Sequence, residues 1–312
     1  MSKYLVTGGA GFIGSHLARH LVAEGHEVTI LDNLSTGRLG NFADFADQVR
    51  FVEGSITDLE TVRDCCKGVD CVFHQAALPS VPRSVADPLM SDEHNIGGTL
   101  RVFWGAHLEG VRRVVYAASS SIYGDTEELP KHEGMQPKPM SPYAVNKRVS
   151  ELYGAVFNDL YKLSTIGLRY FNVFGPRQDP NSQYAAVVPK FITAFLHGEA
   201  PTIHGDGGQS RDFTYIQNVV EANVAACNAS PEAGGRSYNI ALGGRISVED
   251  LCLRIRELLG VKIDPVYQET RAGDVRHSQA SVDLAYEYLG YKGSVDLPEG
   301  LKRTVEWYRT NT

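Results

Sequence analysis

The sequence has few of the residues that mark disulfide-bonded, zinc-binding or membrane-spanning proteins. Its 312 residues include five cysteines, which are odd in number and form no C-x-x-C pair, so neither a disulfide framework nor a zinc site is expected. No apolar run approaches the roughly 20 residues of a membrane helix. The chain begins Met-Ser-Lys and enters a predicted strand at once, without a signal-peptide pattern. We therefore expect a reduced, cytoplasmic protein without a metal site.

The sequence also has fewer basic than acidic residues. The sequence carries 30 Lys and Arg against 37 Asp and Glu, a formal net charge of −7. Binding to nucleic acid needs a basic surface that neutralises phosphates, so nucleic acid is not expected as the main partner. A phosphate-bearing small molecule is still compatible with this charge, because a single local arginine can hold it. The composition, 43% hydrophobic and 21% charged, is ordinary for a globular enzyme.

What the sequence does have is a regular alternation of strand-like and helix-like segments. Strands are predicted over 4–7, 28–31, 50–52, 71–74, 114–118 and 166–170, with helices over 12–24, 58–66, 92–108 and 143–162. Strands separated by helices pair in parallel, which predicts an α/β fold with a doubly wound, Rossmann-type parallel sheet. Beyond residue 172 the pattern predicts loops over 175–189 and 198–210 around a short helix. Helices near 216–228, 247–259 and 297–309 and a strand over 236–241 follow.

These patterns predict two parts of the chain. Residues 1–170 form a cofactor-binding domain, to which segments near 212–240 return. Residues 171–312 form a smaller α/β lobe that binds the substrate. The sequence contains no internal repeat and no low-complexity segment.

A glycine-rich turn follows the first strand and opens the first helix. The segment Gly8-Gly9-Ala10-Gly11-Phe12-Ile13-Gly14 allows a tight turn and close approach of the backbone to a pyrophosphate, although such a turn can also be purely structural. Asp32, at the end of the second strand, favours a dinucleotide, because a carboxylate there accepts hydrogen bonds from a ribose diol. It would repel a 2′-phosphate, so NAD is favoured over NADP. Arg38 is close in sequence and could attract such a phosphate, which weakens the preference for NAD. Asp58 either faces the adenine or caps the helix that starts at Leu59.

A second pair of segments carries the chemistry. Ser119 ends the fifth strand, and Tyr143 and Lys147 lie one turn apart on a helix that Ser141 and Pro142 are suited to begin. A tyrosine that acts as a base near neutral pH needs its pKa, ordinarily ~10, lowered by about 3 units. Lys147 and an oxidised nicotinamide, both cationic, are the expected causes of that shift. The alternative is a helix with an ordinary tyrosine and a solvated lysine.

Together these motifs resemble the extended short-chain dehydrogenase/reductase superfamily over nearly the whole chain. Segments 169–177, 205–213 and 271–275 resemble the nucleotide-sugar-binding elements of its NAD-dependent epimerase/dehydratase family, and most nearly those of bacterial UDP-N-acetylglucosamine 4-epimerases. The resemblance implies catalytic roles for Ser119, Tyr143 and Lys147. It also implies contacts with NAD from Gly8, Gly11, Phe12, Ile13, Gly14, Asp32, Asn33, Ser35, Thr36, Gly37, Ser55, Ile56, Gln75, Ala76, Ala77, Asn95, Ala117, Tyr143, Lys147, Tyr170 and Val173.

The resemblance further implies a site for a UDP-sugar. Within it, Asn172 and Arg211 would hold the diphosphate, and Arg271 and Asp274 the uridine. Ser55 departs from the family, which often has Asp beside the adenine. A homodimer through the helices near 92–108 and 143–162 is also implied. The implied substrate-binding residues are Ser119, Ser120, Ser121, Tyr143, Asn172, Gln178, Ala186, Val187, Lys190, Thr202, His204, Arg211, Arg271, Asp274 and Ser278.

The residues beside Ser119 distinguish among the reactions of the family. Dehydratases carry Asp-Glu there and decarboxylases carry Glu, whereas this chain has Ser120 and Ser121, which favour C4 epimerisation of a UDP-hexose through a 4-keto sugar. Ser278 is small where relatives restricted to plain hexoses carry Tyr, which favours UDP-GlcNAc and UDP-GalNAc, with UDP-glucose and UDP-galactose also accommodated. The runner-up is a UDP-glucuronate 4-epimerase, which needs a cation near C6, and Arg83 is a candidate. A non-catalytic NAD-sensing or scaffold protein is a remote alternative, because Tyr143 and Lys147 are both retained.

Overall fold

The computed structural model describes residues 1–180, 186–270 and 275–311. A π-helical turn (Glu93–Gly98) and short 3₁₀ turns accompany the regular elements. The strands are β1 (Lys3–Thr7), β2 (Glu27–Asp32), β3 (Val49–Glu53), β4 (Cys71–His74), β5 (Arg113–Ser119), β6 (Ser164–Tyr170), β7 (Val173–Phe174), β8 (Thr202–His204), β9 (Ser210–Arg211), β10 (Thr214–Tyr215), β11 (Arg236–Ile240), β12 (Ile246–Ser247) and β13 (Val266–Gln268). The helices are α1 (Phe12–Ala23), α2 (Leu59–Cys66), α3 (Val81–Ala86), α4 (Pro88–Asp92), α5 (Thr99–Leu108), α6 (Pro142–Tyr161), α7 (Val187–Leu196), α8 (Ile216–Asn228), α9 (Val248–Leu259), α10 (Asp283–Leu289) and α11 (Leu297–Asn311).

Among the described residues, seven strands form one parallel sheet in the order β11-β6-β5-β4-β1-β2-β3. The order reverses between β1 and β4, so their connections leave toward opposite edges and open a crevice at the carboxyl ends of the strands. Ligands of doubly wound folds bind in such a crevice. The predicted fold class is therefore confirmed.

Side chains of the strands alternate between two apolar layers. Leu5 of β1 packs into a cluster with helices α2, α5 and α6, whereas its neighbours Tyr4 and Val6 pack with α1 and α8 on the other face. In β5, Val114 faces the first layer and Val115 the second. Burial of both faces explains why these strands read as continuous apolar runs.

The predicted helix over 92–108 is the element that differs most from expectation. It is divided into α4, the π-helical turn and α5, and the turn contains Asn95 and the pair Gly97-Gly98. The buried amide of Asn95 bonds both the N–H and the C=O of Leu78, at 2.8 and 3.1 Å. A widened helical turn that presents a buried polar group in this way cannot be foreseen from apolar periodicity.

Several shorter elements also confirm or correct the prediction from the sequence. The strand predicted over 236–241 is confirmed as β11, which pairs with β6 and completes the sheet. The loop predicted over 198–210 contains β8, which pairs with β13, and the helices α3 and α10 were not predicted. Asp58 caps α2 by accepting a hydrogen bond from Glu60 N, which is the second of its two interpretations.

The division into a domain over 1–170 and a lobe over 171–312 stays a prediction, because one apolar cluster contains side chains from both parts. The five cysteines are buried free thiols. Among the helices of the described ranges, none is long and apolar enough to cross a membrane.

Candidate functional site

A cleft of about 1100 Å³ lies at the carboxyl edge of the sheet. The ends of β1, β2, β4, β5 and β6 and the start of α6 surround it. Its volume exceeds that of an ordinary pocket for one drug-sized molecule, about 300–1,000 Å³. The predicted site residues that line it are Gly8, Gly11, Phe12, Ile13, Gly14, Asp32, Asn33, Ser35, Thr36, Gly37, Ile56, Gln75, Ala76, Ala77, Ala117, Ser119, Tyr143, Lys147, Tyr170, Asn172, Val173, Gln178 and Ala186.

The glycine turn packs against neighbouring backbone too closely for side chains. Gly8 has φ +68°, and a Cβ there would lie 2.6 Å from the amide nitrogen of Ala76, just after β4. A Cβ on Gly14 would lie 2.2 Å from the carbonyl oxygen of Gly8. Gly11 begins α1 without a side-chain cap, so the first N–H groups of the helix face the cleft. This bare cradle fits the pyrophosphate of a dinucleotide.

Asp32 is buried at the end of β2 beside the turn. Its carboxylate accepts hydrogen bonds from Ala10 N at 3.0 Å and Leu34 N at 2.8 Å, and burial raises its pKa. Each oxygen keeps a further lone pair that a ribose hydroxyl can use. Arg38, which could have favoured a 2′-phosphate, forms an ion pair with Asp179 at 2.7 Å. The residues present therefore fit NAD.

Ser119, Tyr143 and Lys147 line the same cleft as the glycine turn. Ser119 ends β5, as predicted, and its Oγ accepts a hydrogen bond from Ser121 N. Ser141 caps α6 by accepting a bond from Ala144 N at 3.2 Å, which sets Tyr143 and Lys147 one turn apart on the face toward the cleft. The side chain of Ser119 lowers the pKa of Tyr143, against the larger effect of burial.

The electrostatics of this group differ from the expectation in one respect. Burial raises the pKa of Tyr143, against the opposing effect of Ser119, so Lys147 alone does not produce the expected lowering. The reason is the position of Lys147: its ammonium donates to Ala117 O at 2.7 Å and lies 5.8 Å from the centre of the Tyr143 ring. The part of the lowering expected from the nicotinamide stays a prediction. Burial also lowers the pKa of Lys147 to about 8, an effect that Glu151 opposes.

Behind α6 lies a buried polar network that the sequence did not reveal. Glu151, one turn after Lys147, receives two hydrogen bonds from Arg169 of β6, at 2.7 and 3.0 Å. Arg169 also donates to the hydroxyl of Tyr123 at 2.7 Å. Tyr123 belongs to the turn directly after Ser119. The network therefore joins the helix of Tyr143 and Lys147 to the strand end of Ser119.

Two predicted cofactor residues lie outside the lining of the cleft. Asn95 holds the Leu78 backbone, as described above, and so supports the loop after β4. The hydroxyl of Ser55 hydrogen-bonds that of Thr57 at 2.7 Å, while its neighbour Ile56 lines the cleft. Gln75 lines the cleft and accepts a hydrogen bond from the Tyr170 hydroxyl at 3.1 Å.

The predicted substrate residues are less closely grouped. Asn172 lines the cleft at φ +32°, with its amide donating to Asp212 O at 2.9 Å. Arg211 lies on β9, where its guanidinium donates to Arg276 O at 3.2 Å, and Ser278 N donates to Ser210 O on the same strand. Arg271 and Asp274 lie outside the described residues. The described residues predicted for the substrate that do not line the cleft are Ser120, Ser121, Val187, Lys190, Thr202, His204, Arg211 and Ser278.

Several residues that line the cleft were not predicted to do so. Trp307, Tyr308 and Asn311 reach it from the end of α11, and the Tyr308 hydroxyl donates to Gln178 O. The helix itself was predicted, but its amphipathic pattern does not indicate which surface it meets. His94, from the π-helical turn, also lines the cleft.

A family model described as "NAD dependent epimerase/dehydratase family" matches residues 4–241. A UDP-glucose 4-epimerase of Mycolicibacterium smegmatis is 39% identical over 314 residues, which cover 99% of each chain. A UDP-glucuronate 4-epimerase of Thermodesulfobacterium geofontis is 32% identical over 100% of this chain and 97% of its own.

Solved structures give the same picture. The UDP-N-acetylglucosamine 4-epimerase of Methanobrevibacter ruminantium, in complex with UDP-N-acetylmuramic acid, has a TM-score of 0.95 and 39% identity over 100% of this chain and 99% of its own. The UDP-glucose 4-epimerase of Thermotoga maritima with UDP-glucose has a TM-score of 0.94 and 38% identity, with 99% of each chain covered. That of Thermus thermophilus in complex with NAD has a TM-score of 0.90 and 34% identity, covering 99% of this chain and 100% of its own.

Proposed function

Because the chain belongs to the NAD dependent epimerase/dehydratase family, we propose that it interconverts two UDP-sugars that differ in configuration at C4. The observation that carries the proposal is that Ser119, Tyr143 and Lys147 line one cleft together with the glycine turn. The 4-epimerases among its relatives support the same reaction. NAD is regenerated in each turnover, so no added oxidant is needed.

The chain supplies groups for proton transfer. Tyr143, as phenolate, takes the proton of the sugar 4-hydroxyl, and the Ser119 hydroxyl, which lines the same cleft, donates a hydrogen bond to that oxygen. The Lys147 ammonium, fixed on Ala117 O, adds positive charge beside the phenolate. NAD, held by the glycine turn and Asp32, would supply a second positive charge and the capacity to take up and return the hydride of C4. Tyr143 then gives the proton back.

The charges in the cleft favour epimerisation over elimination. A dehydratase needs a second acid and base near the sugar C5 and C6. Among the described residues, the carboxylates that line the cleft are Asp32, bonded to the glycine turn, and Asp179, paired with Arg38. Beside Ser119 the chain has Ser120 and Ser121, which are poor acids at neutral pH.

Conversion of UDP-GlcNAc to UDP-GalNAc by the purified protein, without added cofactor, tests the reaction directly. Product analysis by NMR should show the C4 epimer, and NAD should be released on denaturation. Tyr143→Phe should abolish turnover and leave UDP binding largely intact. Tyr153→Phe, on the same helix and outside the cleft lining, is the matched control. Full activity of Tyr143→Phe would refute the assignment, and bound NAD without turnover of any UDP-sugar would favour the non-catalytic alternative.

We propose UDP-GlcNAc and UDP-GalNAc as the preferred pair, with UDP-glucose and UDP-galactose also accepted. Support comes from the small side chain of Ser278, which is partly buried beside β9. Ser278→Tyr should reduce activity on the acetylated pair more than on the plain pair, because a bulky ring removes room for the acetamide. Ser294→Tyr, at an exposed position, is the control. Equal losses on both pairs would contradict the assignment.

We further propose that the protein is a homodimer. Val145, Leu152, Val156 and Leu160 form an apolar stripe along α6 and are 44–68% exposed. Leu89 of α4 adds another exposed apolar side chain, and α4 packs against α6. A second copy of this surface is the occupant of matching shape and polarity. Light scattering should give twice the chain mass of 34.2 kDa, and Val156→Glu should give the monomer. A monomeric wild type would overturn this proposal.

A further inference from the structure

A buried histidine takes no part in the proposed proton transfer. His74 ends β4, directly before the loop of residues 75–78 that lines the cleft. Both of its ring nitrogens meet a buried hydroxyl: Nδ1 lies 2.7 Å from Thr7 Oγ1, and Nε2 lies 3.0 Å from Thr99 Oγ1. Burial, with a smaller effect of the Lys147 charge, lowers the pKa of His74 to about 3, so the ring is neutral when the enzyme works. A neutral ring has one donor and one acceptor, and its neighbours decide which nitrogen is which.

The hydrogen bonds on either side of the ring determine its tautomer. Thr99 Oγ1 lies 2.6 Å from Asn95 O in the π-helical turn, and a carbonyl only accepts, so the Thr99 hydroxyl donates there. Towards His74 the same oxygen can therefore only accept, which places the ring proton on Nε2. Nδ1 is then an acceptor, and the Thr7 hydroxyl donates to it. The Thr7 oxygen keeps its lone pairs for a further donor, the N–H of Ala76 at 3.3 Å.

These bonds form a closed circuit around the loop after β4. The Asn95 amide, as described above, binds both the N–H and the C=O of Leu78. Two residues earlier in the loop, the N–H of Ala76 is bound by Thr7. The His74 ring connects the Thr7 hydroxyl to the π-helical turn, so one set of hydrogen bonds holds both ends of the loop. A buried polar network whose members are all satisfied fixes its parts in one arrangement.

The loop held in this way packs against the glycine turn. A Cβ on Gly8 would lie 2.6 Å from Ala76 N, so the turn and the loop are in close contact. Gln75, Ala76 and Ala77 line the same cleft as the turn. A shift of the Ala76 backbone would therefore change the shape of the cradle that fits a pyrophosphate. A site whose wall is already fixed binds its ligand more tightly, because no binding energy is spent on ordering the wall.

We propose that His74 is a positioning residue for the cofactor: as the neutral Nε2–H tautomer it fixes the Thr7 hydroxyl, and through it the Ala76 backbone, against the glycine turn. His74 itself lies outside the lining of the cleft, so its effect on NAD passes through Thr7 and the loop of residues 75–78. Because NAD binding is measured without a sugar, this role is independent of which UDP-sugar is converted.

Isothermal titration of the full-length protein with NAD, after removal of any resident cofactor, tests the proposal. His74→Asn places an amide oxygen near the position of Nδ1 and should keep the affinity within about threefold of the wild type. His74→Gln places its amide near Nε2 instead and leaves the Thr7 hydroxyl without that acceptor, so it should weaken NAD binding roughly tenfold, the effect of one buried hydrogen bond. Thr7→Val, of nearly the same shape as the wild type, should weaken it by a similar factor. Thr165→Val in β6 is the matched control, because it also removes a buried hydroxyl, one that donates to Gly154 O at 2.6 Å outside the cleft lining, and it should have no effect.

Two further measurements separate positioning from a general loss of structure. In the double variant Thr7→Val/His74→Gln the two losses should not add, because both remove the same hydrogen bond. Heteronuclear NMR of protein with isotope-labelled histidine should show His74 protonated on Nε2 and not on Nδ1.

Several results would overturn the inference: additive losses, an Nδ1–H tautomer, wild-type affinity in His74→Gln, or equal losses in His74→Asn and His74→Gln. Thr7→Val, which leaves the ring in place, decides the question should His74→Gln fail to fold. Failure of every UDP-sugar to react would overturn the proposed function, and the NAD affinities would still decide the role of His74.

Discussion

Glu151 is the residue through which the structure makes its sharpest prediction. Its carboxylate is buried and forms two hydrogen bonds with Arg169, which is equally buried, and one with Arg148 at 2.9 Å. In Glu151→Gln the Arg169 guanidinium stays in the interior without its counter-charge. Breaking a buried pair in this way costs about 3–5 kcal/mol, against a total folding stability of about 5–15 kcal/mol. The variant should fold but unfold at much lower urea concentration.

Urea unfolding at equilibrium, with NAD at the same saturating concentration in each sample, measures this loss. Glu93→Gln is the matched control, because Glu93 faces Arg101 at 4.0 Å on the surface, where such a pair contributes about 0–1 kcal/mol. The double variant Glu151→Met/Arg169→Met should recover much of the loss, since an apolar pair leaves no buried charge. Additive losses in the double variant would refute the reasoning.

The same substitution has a kinetic signature. Glu151 raises the pKa of Lys147, which burial lowers to about 8, so its removal lowers that pKa further. If the ammonium is the active form, the alkaline limb of the kcat profile of Glu151→Gln should move to lower pH. An unchanged or raised limb would show that Glu151 does not act on Lys147.

Two further predictions concern the core and the glycine turn. Burial lowers the pKa of His74 to about 3, so the folded protein does not bind the proton that the unfolded chain binds below about pH 6.5. The contribution of neutral His74 to the free energy of unfolding is therefore fully present above about pH 6.5 and decreases as the pH falls, by about 2 kcal/mol at pH 5. Urea unfolding at pH 7 and pH 5 should show that His74→Gln loses about 2 kcal/mol less stability than the wild type over this pH range. Burial raises the pKa of Asp212 to about 6, so Asp212 stabilises the fold as the pH falls, but it does so equally in both proteins and cancels in the comparison. Gly8→Ala should reduce the amount of NAD released from the purified protein, because the new Cβ would lie 2.6 Å from Ala76 N. Gly25→Ala is the control: Gly25 also has positive φ, but a Cβ there would meet nothing within 4 Å, so the NAD content should not change. Equal NAD content in the two variants would contradict the fit of the turn.

The parts of the site that the sequence predicts are those set by local chain geometry. The glycine turn, Ser119 at a strand end, and Tyr143 and Lys147 one turn apart each depend on spacings of a few residues. Parallel strands then bring their carboxyl ends to one edge, so the meeting of these groups follows from the fold class.

Other features depend on contacts distant in sequence and could not be predicted. The ion pair between Glu151 and Arg169 joins α6 to β6, and the sequence of neither segment indicates which residue the other supplies. Trp307 reaches the cleft because α11 packs against α7 and α9, and this packing depends on the tertiary structure. The lowering of the Tyr143 pKa was expected from Lys147 and a nicotinamide, whereas in the structure burial raises this pKa and the Lys147 ammonium is held by Ala117 O, 5.8 Å from the centre of the Tyr143 ring.

The fixed positions of the reacting groups indicate that the sugar has to move between the two halves of the proposed reaction. Tyr143 is held by Ser84 at its backbone and Lys147 by Ala117 O, so neither can follow the opposite face of C4. The cleft of about 1100 Å³ leaves room for the 4-keto sugar to turn while the nucleotide stays bound. A UDP-sugar too bulky to turn should therefore be oxidised but not epimerised. Stopped-flow absorbance should then show reduced nicotinamide accumulating without product. Epimerisation of the bulky sugar at an undiminished rate would argue that the protein, not the sugar, rearranges.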